Sequence, residues 1–137
     1  MSDYPLVVQT VLDTPRPREL AEFYRQLLGY HYRPGDEPQA PGEPDDLDWL
    51  VLRSESGGPQ LAFQLVDRLE PTTWPDATVP MQMHLDMTVP DVQALERQRD
   101  KAIALGASLR LDRSSDDEEP LFVMTDPAGH PFCLFVA

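Results

Sequence analysis

Two stretches of the chain carry apolar residues at helical spacing, and most of the remainder alternates or is rich in β-branched and aromatic residues. Leu20, Phe23, Tyr24, Leu27 and Leu28 follow the i, i+3, i+4, i+7, i+8 stripe that buries one face of a helix. Thr14-Pro15-Arg16-Pro17 opens this helix, because proline is tolerated where first-turn N–H groups have no intrahelical acceptor. Gly29 closes it as a C′ residue. In the second stretch Val92, Leu95, Ala102 and Ile103 mark one face, from Pro90-Asp91 to Gly106, around a solidly polar middle. Strands are expected over 6–13, 49–53, 60–66, 83–89, 108–112, 121–125 and 132–136, with a short one over 30–33. Asp126-Pro127-Ala128-Gly129 carries the type I turn signal, proline second and glycine fourth.

The order strand, helix, three strands occurs twice, over 6–66 and over 83–137, with 67–82 as a linker. Within each copy a Leu-Gly pair ends the helix (Leu28-Gly29, Leu105-Gly106), and a glycine turn (Gly58, Gly129) precedes the last strand. Neither copy covers its own sheet well, so the two are expected to share one domain spanning 1–137. The class is α+β.

Charge narrows the partners. The chain holds 24 acids against 11 bases, a formal charge of −13, which repels phosphate backbones and anionic membranes. Nucleic acid and membrane are therefore excluded as partners, and a small-molecule ligand is expected. No apolar run approaches the ~18 residues of a membrane span. The first residues lack the pattern of a signal peptide, and a single cysteine makes no intrachain disulfide, so the expected location is cytoplasmic. Six acids and four prolines fall between 34 and 48, which reads as a solvated loop that buries nothing. A second acidic turn covers 116–119.

Several segments together resemble the vicinal oxygen chelate superfamily, which includes glyoxalases, bleomycin-resistance proteins and extradiol dioxygenases. They are Gln9-Thr10-Val11-Leu12, the helix from Ala21 to Gly29 with its Phe23-Tyr24 and Leu28-Gly29, His84-Leu85-Asp86-Met87-Thr88-Val89, and Ala104-Leu105-Gly106-Ala107. The closing stretch Thr125-Asp126-Pro127-Ala128-Gly129-His130-Pro131-Phe132-Cys133-Leu134 completes the set. The resemblance covers nearly the whole chain and is nearest to the glyoxalase-like domain group. It implies two βαβββ modules forming a cupped sheet around a cavity, within one chain or across a homodimer. In enzymatic members it also implies a metal held by the first and last strand of each module.

Carried over position by position, Gln9 and His84 match the first-strand ligands, and both are candidates for a metal. The last-strand positions, normally glutamate, fall on Ala62 and Cys133, with Gln64 as a neutral stand-in and no acid to replace the one missing beside Cys133. Two amides and an imidazole are a poor donor set for a catalytic divalent ion. A buried thiol would help only once deprotonated. The expectation is therefore no cofactor, and a cavity ligand contacted by Gln9, Trp49, Gln64, His84 and Asp86. Two alternatives stand beside it: a metal-dependent lyase or dioxygenase with a rearranged ligand set, and a protein that sequesters an antibiotic or toxin. Trp74 and His130 read as surface residues of loops, and His31 has no evident partner.

Overall fold

In the computed structural model, which describes residues 3–137, each half of the chain builds the expected strand–helix–three-strand unit. One compact unit runs to Asp67 and the other spans Arg68–Ala137. The first contains β1 (Gln9–Thr14), α1 (Pro17–Leu28), β2 (His31–Tyr32), β3 (Trp49–Arg53) and β4 (Gln60–Leu65). The second contains β5 (Leu85–Val89), α2 (Val92–Ala104), β6 (Ser108–Arg113), β7 (Leu121–Thr125) and β8 (Pro131–Val136). The sheet orders, β1-β4-β3-β2 and β5-β8-β7-β6, are the same, each with one parallel pair made by its first and last strands. The fold is α+β, two βαβββ modules.

Both parallel ladders begin later than the residue pattern suggests, and for the same reason. Gln9 pairs with Gln60 and Leu85 with Phe132, so continuing each register outward sets Val8 opposite Pro59 and His84 opposite Pro131. Proline brings no N–H to a ladder, and the expected strands 6–13 and 83–89 lose their first residues.

In the first unit the sheet face bearing Leu12, Thr14, Leu61, Phe63, Leu50, Leu52 and Tyr32 is buried, and α1 covers it with Leu20, Phe23, Tyr24 and Leu27. Tyr24 stacks on Phe63 at 5.9 Å between ring centroids. Gly29 ends the helix in the left-handed region at φ 70°, its N–H returning to the Arg25 carbonyl.

The second helix departs from its expected face. Asp91 caps it by accepting from the Ala94 N–H at 2.7 Å. Leu95 and Ala102 are buried, but Val92 and Ile103 are 43% and 45% exposed. The i+4 place after Leu95 belongs to Arg99, whose guanidinium lies 4.8 Å from the centroid of the Phe122 ring. A long cationic stem from the polar middle of the helix, expected to face water, covers the sheet instead.

The acidic 34–48 loop also corrects the sequence reading, because part of it is buried. Asp36 accepts from the Val51 backbone N–H at 2.9 Å and pairs with Arg33 at 3.1 Å. Arg18 then pins the loop to α1, bonding Asp45 at 2.6 Å and the Asp36 carbonyl at 2.7 Å while lying over the Tyr32 ring.

Candidate functional site

Side chains alternate across a strand, so the face of each sheet turned away from its helix can be read directly from the registers. In the first unit the central rung of that face is Val11–Ala62–Val51, with Val11 exposed and Ala62 and Val51 buried. It is entirely hydrocarbon. Toward one end lies Asp13–Gln64–Trp49. Toward the other lies Gln9–Gln60, and continuing the β3–β4 register adds Arg53, which pairs onward with His31.

Two expected neighbours are therefore apart. Gln64 stands opposite Asp13, four residues along from the rung that holds Gln9. At ~3.3 Å per residue the separation is about 13 Å, so Gln64 does not supply a donor beside Gln9. Trp49 does flank Gln64, half-buried.

The second unit differs at the equivalent place. Its central rung is Asp86–Cys133–Val123–Leu111. Local pattern places no acid beside Cys133, whereas the register sets Asp86 directly across from it. His84 Nε2 lies 3.1 Å from Asp86 Oδ1. One donor atom from each of His84, Asp86 and Cys133 falls within 4.8 Å of the others. Alternation had placed His84 and Asp86 together; the parallel pairing needed to add Cys133 is not visible in local spacing.

Trp74 is the residue that sequence reasoning most undervalued. Its indole stacks on the His84 imidazole, with ring centroids 4.9 Å apart and planes 19° from parallel. The expected linker is thus docked on the second unit, and the Thr72 N–H bonds the Gly129 carbonyl at 3.1 Å. That turn is built as its sequence suggests. The Gly129 N–H reaches the Asp126 carbonyl, and Asp126 Oδ1 accepts from the N–H groups of Ala128, Gly129 and His130 at 2.9–3.0 Å. His130 is half-buried there rather than exposed.

The electrostatics set limits on the chemistry. Burial pushes the Cys133 thiol up to about 11, and the nearby Asp86 and Glu119 charges add to the effect. At neutral pH it is a thiol, a weak ligand and a poor nucleophile. A shallow groove of about 380 Å³ in the first unit lies between Glu22, Arg25, Tyr30 and Tyr32. Its charges are already satisfied: Arg25 Nε donates to Glu22 at 2.7 Å and the Tyr32 hydroxyl donates to Glu22 at 2.6 Å. Burial and that bond to Glu22 raise the Tyr32 hydroxyl to about 12.

The four-donor metal centre implied by the resemblance does not fit these residues. Ala62 offers no donor, and both its neighbours on the rung are valines.

No curated protein matches the chain. Solved structures match throughout its length. One is a glyoxalase/bleomycin resistance protein/dioxygenase family enzyme from Burkholderia phytofirmans PsJN, 17% identical, with a TM-score of 0.68 and coverage of 93% of this chain and 95% of that one. A glyoxalase-related enzyme from Fulvimarina pelagi is 18% identical, with a TM-score of 0.64 and coverage of 98% and 89%. Lactoylglutathione lyase from Agrobacterium tumefaciens is 15% identical, with a TM-score of 0.60 and coverage of 99% and 96%. At such identities these neighbours establish the fold. The glyoxalase-like domain model matches residues 9–135, from the start of β1 to within one residue of the end of β8. The duplicated βαβββ unit thus has a family, and the chain belongs to the glyoxalase-like domains of the vicinal oxygen chelate superfamily.

Proposed function

We propose that this glyoxalase-like domain binds a small organic molecule at the exposed His84–Asp86 pair of its second unit without the usual four-donor metal centre. The observation that carries the reading is the His84–Asp86 pair at 3.1 Å with Trp74 stacked on the imidazole. Asp86 fixes the ring orientation through Nε2, which leaves Nδ1 for a ligand. Trp74 provides a flat apolar wall beside it. The buried Cys133 thiol supplies polarizable packing and no charge. Gln9, Trp49 and Gln64, also expected to bind a ligand, lie on the face of the first unit's sheet turned away from its helix. Sequestration of a flat antibiotic or toxin is the version of this reading without turnover.

A second reading rests on the clustering of the donor atoms of His84, Asp86 and Cys133. Imidazole, carboxylate and thiolate bind zinc and similar ions at about 2.0–2.3 Å. The cluster is compact enough for a small adjustment to close it on an ion, which would supply Lewis acidity to a lyase or dioxygenase.

Two measurements on wild type and His84→Ala separate the readings. Screening a panel of aromatic and polar compounds by melting temperature should reveal a ligand that raises it, with at least tenfold weaker binding in His84→Ala. Equilibrium dialysis against nickel, zinc, iron and manganese should show no stoichiometric binding. Tight, stoichiometric metal uptake that disappears in His84→Ala would sink the first reading and establish the second.

A further inference from the structure

β1, β2, β5 and β6 are the end strands of the two sheets, and three of them carry guards against edge-to-edge pairing. β2 is two residues long, and β5 has Asp86 within it. β6 carries Arg110, Asp112 and Arg113, with a bulge between Leu109 and Leu111. β1 is six residues long, and its one charge, Asp13, comes near its far end. From Tyr4 to Leu12 the chain holds no charged side chain. Leu6, Val7 and Val8, just ahead of β1, are 87%, 95% and 65% exposed, and Val11 within it is exposed as well. Pairing with β4 begins only at Gln9, so among the described residues these three have no strand neighbour in that sheet.

A free strand edge accepts another extended segment through its backbone, and the side chains decide which segment fits. A charged peptide finds nothing to pair with here. An uncharged apolar strand does, and this chain carries one. We propose that β1 and the residues before it pair antiparallel with the same segment of a second copy, about a two-fold axis at Gln9. That register sets Val7 opposite Val11, Leu6 opposite Leu12 and Val8 opposite Thr10, while the two Gln9 amides, each donor and acceptor, face one another. Alternation is kept, because Leu6 and Val8 continue the Leu12 side of the strand and Val7 continues the Val11 side. Charge selects the same place. Two copies at −13 each repel, so they meet where neither presents an acid. In this register the two Asp13 carboxylates stand at opposite ends of the ladder, about 26 Å apart at ~3.3 Å per residue, well beyond a screening length of about 8 Å. A two-fold pairing uses up both free edges, so assembly stops at the dimer. One strand from each copy is less than the roughly 20–30 residues a side of a standard interface, which sets a micromolar rather than a nanomolar dimer. The proposal is independent of the small-molecule reading, whose carrying residues lie in the second unit.

Sedimentation velocity of the full chain across the micromolar range tests it. Wild type should show a monomer–dimer equilibrium that added salt tightens, because screening relieves the repulsion between two acidic copies. Val7→Lys and Val11→Glu should each weaken the dimer at least tenfold. Mixing the two variants should recover part of the affinity, since the register brings the substituted positions opposite one another. Val7 is almost wholly in water, so Val7→Lys should keep the circular dichroism spectrum of wild type and, at dilute concentration, its melting temperature. Wild type that stays monomeric throughout overturns the proposal, as does a dimer that Val7→Lys leaves intact or an assembly that grows past the dimer. A mixture of the two variants no tighter than either alone overturns the register.

Discussion

The two modules share one strand order and differ in what they do with each side of the sheet. On the helix side, the first unit buries Leu20, Phe23, Tyr24 and Leu27 against Phe63 and Leu50, while the second buries Ala94, Leu95 and Ala102 and borrows the stem of Arg99. On the open side the order reverses. The first unit has a hydrocarbon centre, and the second has Asp86 and Cys133 there with His84 beside them. Burial is not confined to the helix side, since Val51, Ala62, Val123 and Cys133 on the other side are buried as well. Heavy aromatic packing and reactive side chains are thus distributed independently of the repeat, and the chemistry is one-sided.

The helix-side contrast predicts the largest effect. Phe63→Ala should cost about 4 kcal/mol, since a fully buried aromatic leaves a cavity under α1. Ile103→Ala on α2 should cost no more than about 1 kcal/mol, because nearly half of that residue is already in water. Urea denaturation of both variants measures the difference. Equal losses would mean that the two helices are anchored alike.

The glycines at the ends of elements sharpen the contrast at an intermediate scale. Gly29 and Gly129 both have positive φ, 70° and 99°, but a Cβ at Gly29 meets open space whereas one at Gly129 comes within 2.9 Å of Pro71 Cβ. Gly29→Ala should cost about 1 kcal/mol from backbone strain alone. Gly129→Ala should cost about 1–3 kcal/mol and also loosen the 71–74 segment. The accompanying readout is faster hydrogen exchange at the Thr72 amide. Unchanged exchange would show that this segment is held by something other than the turn.

The smallest effect concerns the open side of the second unit. Burial is the larger reason for the raised Cys133 thiol and Asp86 the next, so Asp86→Asn should lower its value from about 11 without restoring the ordinary 9.0. Iodoacetamide alkylation of the folded protein between pH 8 and 10 should be slow in wild type and faster in the variant. The folded state holds the thiol proton more tightly than the unfolded chain does, so this group's contribution is intact below about 9 and is lost as pH rises toward about 11. An alkylation rate indifferent to Asp86 would remove the electrostatic link between the two residues.

Much of the fold was legible in the sequence because it depends on local pattern. The apolar stripe of α1, the Gly29 stop and the Asp126–Gly129 turn each lie within a few residues of one another. Arg99 shows where such reading fails: a charged residue in a helical stripe reads as the wet face until the ring beneath it, Phe122, is known. The site was legible only in part. His84 and Asp86 share a face by alternation, but pairing Asp86 with Cys133 depends on register between strands more than forty residues apart. Trp74 was obscured differently, in a proline-flanked segment with no period to reveal what it stacks on. Asp36 was hidden among solvated acids, although its carboxylate is fixed by the backbone of β3.

Pro59 and Pro131 stop the two parallel ladders at the same point of the repeat. Each therefore acts as punctuation, separating a stretch whose side chains are dictated by a neighbouring strand from one whose side chains are not. His84 stands just beyond that mark. A residue there can be exchanged without re-registering the sheet, so a duplicated scaffold of this kind can acquire or lose a reactive group at a strand's threshold while its interior stays the same.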